Sequence, residues 1–98
     1  MSPPRFRVDF NELILPNVVL LSKGDSREDS DGVPVILVEG MRIVVWDEDK
    51  GDDGRPDCLV ADGVAVLNKT GHFEHVKWCC LINGTGVQHQ SDTDGVRD

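Results

Sequence analysis

The side chains able to do chemistry in this 98-residue chain are three cysteines and three histidines, eighteen carboxylates, and two tryptophans. Zinc accepts every ligand type found among Cys58, His72, His75, Cys79 and Cys80. Their spacing argues against one shared ion. Neighbouring side chains on a strand point to opposite faces, so Cys79 and Cys80 diverge. His75 and Cys79 share a face, but four residues of strand separate them by roughly 13 Å at about 3.3 Å per residue. Thiol and imidazole cannot meet locally for nucleophilic catalysis either, and nothing nearby would orient the base. The predicted roles are a buried Cys80, an unreactive Cys79 facing outward beside Lys77, and histidines at the surface.

The carboxylates gather in two loops, which raises the question of calcium. With Gly54 as the sixth position of a helix-loop-helix site, the first, third and fifth positions are Asp49, Gly51 and Asp53. The twelfth is Val60, which has no carboxylate to offer. With Gly32 in that place the first position is Arg27, a cation where the metal would sit. Both loops therefore read as solvated, self-repelling turns, and no metal or cofactor is expected. There is no phosphate loop, dinucleotide fingerprint or serine elbow; Gly84-Thr85-Gly86 follows a strand pattern and opens no helix.

Tryptophans supply much of the anchoring energy where proteins meet. Trp78 falls in register with Val76, Cys80 and Ile82 and belongs to a core. Trp46 shares a strand face with Arg42 and abuts the acidic run Asp47, Glu48, Asp49, Asp52 and Asp53. This leaves it poised between core and exposed anchor.

These residues must be positioned by strands. The chain has 14 Val, 4 Ile and 3 Thr against 2 Ala and 5 Glu, so strand formers far outnumber helix formers. Its 39% apolar residues together with 10 glycines make 48 of 98, the share of a folded domain, and its length allows one core. Phe6, Val8 and Phe10 alternate with polar neighbours, predicting a half-buried first strand or arm. Val18 to Leu21 fits a second strand. Residues 23–32 lack apolar side chains and predict a solvated, unstructured loop. From Val33 to Trp46 two strands meet at a kink at Glu39-Gly40, with Met41, Ile43 and Val45 inward. Between Leu59 and Val66, Asp62-Gly63 is either a tight hairpin or a bulge in one bent strand; the bulge keeps Leu59, Ala61, Val64 and Val66 inward and is preferred. His75 to Ile82 predicts a long strand, and Asn83-Gly84 a hairpin with a return strand starting at Val87. The expected organisation is one β domain over 1–89, with acidic loops at 25–32 and 47–57, and a flexible tail over 90–98.

The whole predicts a small, partly open all-β barrel of six or seven short strands with little helix. The succession Gly40-Met41-Arg42-Ile43-Val44-Val45-Trp46-Asp47, Val60-Ala61-Asp62-Gly63-Val64-Ala65-Val66 and Val76-Lys77-Trp78 resembles an SH3-like barrel of the Tudor kind. The resemblance covers about half the chain and concerns hydrophobic spacing, not a family motif. Many unrelated functions use that barrel. Methyl-lysine readers of that group cage a cation with several aromatics; two Trp, three Phe and no Tyr do not supply a full cage.

Charge narrows the partners. Ten Lys and Arg against 18 Asp and Glu give a net of −8, without a basic stripe for phosphate, so direct nucleic-acid binding is not expected. No apolar run approaches a membrane span or a secretory leader. An odd number of cysteines, two of them adjacent, predicts reduced thiols in a cytoplasm. The expected function is a non-catalytic binding module that presents Arg42, Trp46 and the acids at 47, 48, 49, 52 and 53 to a basic protein segment. An inhibitor imitating nucleic-acid phosphates and a small hydrolase using scattered Asp and His are the alternatives. The segment 33–38 predicts an open strand edge that a second copy could cover, leaving monomer and homodimer both open.

Overall fold

The structure, a computed structural model, describes residues 3–49 and 54–90. Nine strands are present among them: β1 (Arg5–Arg7), β2 (Leu13–Leu15), β3 (Val18–Ser22), β4 (Ser26–Glu28), β5 (Pro34–Ile36), β6 (Arg42–Asp47), β7 (Leu59–Leu67), β8 (Trp78–Ile82) and β9 (Gln88–His89). This is the expected small all-β fold, with more and shorter strands than the hydrophobic runs suggest. The polar stretch Ser26–Glu28 contributes β4, which apolar patterning cannot show. The main sheet runs β1-β6-β7-β8-β3-β2, with β9 beside β7, and β4 and β5 form a separate two-stranded sheet. It does not close into a barrel by strand pairing; β1 and β2 are its two ends.

All pairs are antiparallel except β1 with β6, which run parallel with Arg5, Phe6 and Arg7 opposite Val44, Val45 and Trp46. Alternation on these strands buries Phe6, Ile43 and Val45 almost completely while Arg5, Arg7 and Arg42 stay outside. Val19, Leu21, Ala61, Ala65, Trp78, Cys80 and Ile82 complete the core, capped by Leu37 from the end of the hairpin.

The strand over 59–67 is continuous, but it has no bulge at Gly63. Its register with β6 and β8 is unbroken, so Ala61, Gly63 and Ala65 face inward and Val64 does not. A Cβ on Gly63 would lie 2.4 Å from the Leu81 carbonyl oxygen and 2.6 Å from the Cys80 sulfur. The glycine is there because β7 and β8 approach closely, not because the chain bends.

Three further expectations change. Residues 23–32 are not structureless: Ser26–Glu28 pairs with Pro34–Ile36, and Arg27 turns inward. The strand predicted from His75 starts only at Trp78, because Val76 N–H donates to Phe73 O in a turn at 2.8 Å. Cys79, paired with Leu20 on β3 and Val66 on β7, is buried, not exposed. After the Asn83 turn, β9 pairs with β7 and not with β8. Strand β8 covers only residues 63–67 of β7, and β9 fills the edge left open beside Leu59 and Val60.

Arg27 spans the gap in the sheet. Its guanidinium donates to Leu21 O on β3 at 2.7 Å and to Arg7 O on β1, and lies 5.5 Å from the centre of the Phe6 ring. Burial lowers its pKa below the ordinary guanidinium value. One side chain thus satisfies carbonyls on two strands that β6, β7 and β8 separate in the sheet.

Candidate functional site

The last turn of β6 brings Trp46 and Asp47 to the end of the sheet where β1 finishes. Parallel pairing places Arg7 directly opposite Trp46. The Arg7 guanidinium lies over the indole, 5.7 Å from the ring centre. The same guanidinium reaches Glu48 Oε2 at 3.5 Å and Asp47 Oδ1 at 4.0 Å. The result is a cation held against an aromatic face between two carboxylates.

Two of the three walls are fixed by further contacts. Trp46, half-buried, donates its indole N–H to Ser30 Oγ at 2.7 Å, which ties it to the β4–β5 turn. Asp47 accepts from Phe10 N–H at 3.3 Å and from Glu48 N–H at 2.8 Å, so its carboxylate also anchors the short 3-10 turn Phe10–Glu12. Glu48 is the open wall, with 70% of its side chain accessible. Asp49 faces another way: its carboxylate meets His89 Nε2 at 2.8 Å and joins the acidic loop to β9.

Of the residues expected to act together, Trp46, Asp47 and Glu48 converge. Arg42 does not; it is exposed at the opposite end of β6, four residues and roughly 13 Å away at about 3.3 Å per residue. Asp52 and Asp53 lie outside the described residues. Sequence reasoning missed Arg7 and Ser30. Alternation marks Arg7 as outward facing, but nothing in the pattern reports a parallel partner nearly forty residues away.

The cysteines offer no competing site. Burial raises the pKa of Cys79, and burial together with the neighbouring Cys79 pushes Cys80 up to about 12. All three cysteines are free. Among the described residues, no three side chains of His, Cys, Asp or Glu gather in a metal-binding arrangement, and no helix is long and apolar enough to cross a membrane.

Comparison with protein-family models, with curated proteins and with solved structures finds no match to this chain.

Proposed function

We propose that the protein is a small, acidic, non-catalytic binding module of the cytoplasm that takes up a basic protein segment at Trp46, Asp47 and Glu48. The observation that supports this reading is the placement of Arg7: an indole face and two carboxylates already accommodate a guanidinium. A partner's arginine or lysine finds the same chemistry there, by exchange with Arg7 or beside it at the open Glu48. Cation–aromatic contacts at exposed sites are worth about 0.5 to 1 kcal/mol, so Trp46 supplies orientation while the net charge of −8 speeds encounter.

The test is titration with a short arginine-glycine peptide, followed by tryptophan fluorescence and calorimetry. Trp46→Ala is expected to weaken binding about three- to tenfold, in keeping with loss of one cation–aromatic anchor. Arg7→Gln empties the position and is expected to tighten binding by a similar factor. If Arg7→Gln weakens binding instead, Arg7 is a structural strut and the reading fails.

A further inference from the structure

Strands β4 and β5 form a hairpin with two edges in very different situations. The β4 side lies against β1: Ser30 N–H donates to Arg5 O at 2.8 Å, Ser30 Oγ reaches the same oxygen at 3.1 Å, and Arg27 reaches Arg7 O. The β5 side has no neighbouring strand among the described residues. Within the hairpin, Leu37 N–H donates to Asp25 O at 2.8 Å and Asp29 N–H to Val33 O at 2.9 Å. This phase makes the pair Ser26 and Ile36 a non-bonded one, so the N–H and C=O of Ile36 point away from β4. Neither has a hydrogen-bond partner among the described residues.

The side chains along this edge are as open as its backbone. Ile36 is 71% exposed, Val38 56% and Val33 53%, the three most exposed large apolar residues described. Val35 and Leu37 point to the core, so the hairpin stays in place without them. An open edge with exposed apolar groups is a template for another strand.

Charge chooses the occupant. Residues 24–39 carry five acids against the single base Arg27; Asp25 and Glu39 are paired with Lys77 and Lys69, which leaves Glu28, Asp29 and Asp31 to make the hairpin acidic. A second copy would bring two such hairpins together, within two molecules of net charge −8 each. An extended segment with apolar residues at alternate positions and lysine or arginine between them meets the same edge with complementary charge. We infer that the β5 edge around Ile36 is a strand-addition site for a basic, alternating apolar segment of a protein partner. This inference rests on the reading of the molecule as a receptor for basic segments, and locates a second contact for such a partner.

The probe is an acetylated peptide of alternating valine and lysine, with its valine-glutamate counterpart as control, added to the full chain. Saturation with the lysine peptide is expected to slow hydrogen exchange at the Ile36 amide about tenfold, as pairing of a free N–H requires. Ile36→Pro removes an N–H the fold does not use and is expected to weaken binding about tenfold, or about 1.4 kcal/mol. Ile36→Lys, which keeps the N–H and opposes the peptide's charge, is expected to weaken it as well. Unchanged exchange at Ile36, full affinity of both variants, or equal binding of the glutamate peptide would each overturn the inference. Protection of the Ile36 amide that grows with protein concentration in the absence of peptide would overturn it in favour of a second copy. Trp46→Ala separates the two sites: full affinity of that variant for the arginine-glycine peptide counts against the Trp46 reading alone, whereas the Ile36 variants report on the edge alone.

Discussion

Asn68 organises its surroundings through five side-chain contacts. Its Nδ2 shares two hydrogens among the carbonyls of His72, Phe73 and Val76 at 2.8, 3.1 and 3.0 Å, while its Oδ1 accepts from the Thr70 hydroxyl at 2.7 Å and the Thr70 N–H at 3.2 Å. The turn between β7 and β8 is wound around this amide, with Phe73 held at φ 53°. Asn68→Ala removes this shared donor and leaves Val76 O without its partner, and a loss of about 1 to 3 kcal/mol is expected, measured by denaturant unfolding. Asp25 is the second residue with a specific task. Hydrogen bonding from Lys77 first, then from the Trp78 indole, holds its pKa below the ordinary 3.8. The contacts are 2.7 Å from Lys77 Nζ and 3.0 Å from Trp78 Nε1, both to Oδ1. A carboxylate whose folded pKa is depressed stabilises the fold fully above its unfolded value, and that contribution disappears as pH falls through the folded one. Wild type is therefore expected to lose stability from about pH 4 downward more steeply than Asp25→Asn, with Trp78 fluorescence as the readout. Identical acid limbs for the two proteins would contradict that role.

At the scale of elements, β7 is where sequence and packing constrain each other most closely. Gly63→Ala places a methyl group against backbone and sulfur that cannot retreat without parting β7 from β8. The expected cost is about 1 to 3 kcal/mol, seen as a lower midpoint in denaturant with faster amide exchange across the β7–β8 ladder. The neighbouring Asp62 is exposed, and Asp62→Ala should leave both observables in place. Gly63 also shows what the sequence can and cannot say. Alternation over 41–46 assigns Ile43 and Val45 to the core, where they lie, because a two-residue period has one meaning on a half-buried strand. An Asp-Gly pair has several meanings, and only the distance to β8 selects the regular strand over the bulge. Strand β4 is invisible in the sequence for a different reason: Ser-Arg-Glu carries no apolar signal, and Arg27 is drawn inward by carbonyls of β3 and β1. The cluster of Trp46, Asp47 and Glu48 is legible because its members are neighbours along the chain. Its fourth member, Arg7, arrives through a parallel pairing that local patterning does not encode, whereas Arg42, on the same face as Trp46, lies too far along the strand to join it.

For the molecule as a whole, one quantity acts in two directions. A net charge of −8 on a single small domain repels itself when compact and attracts basic segments from solution. Ionic strength screens both effects, since the screening length falls from about 30 Å at 0.01 M to about 3 Å at 1 M. The internal ion pairs are mostly exposed, as with Arg7 and Glu48 at 55% and 70% side-chain accessibility, so their loss to salt costs the fold little. For the free protein, relief of the general repulsion then outweighs the weakening of those pairs. Adding salt over that range is expected to raise the midpoint of thermal unfolding by a few degrees while weakening capture of the arginine-glycine peptide severalfold or more. The two responses must have opposite signs, because the same carboxylates are the source of both. Affinity that stays flat while the melting midpoint rises would mean that the peptide is held by Trp46 and apolar contact alone, and the acidic wall formed by Asp47 and Glu48 would then have no part in recognition.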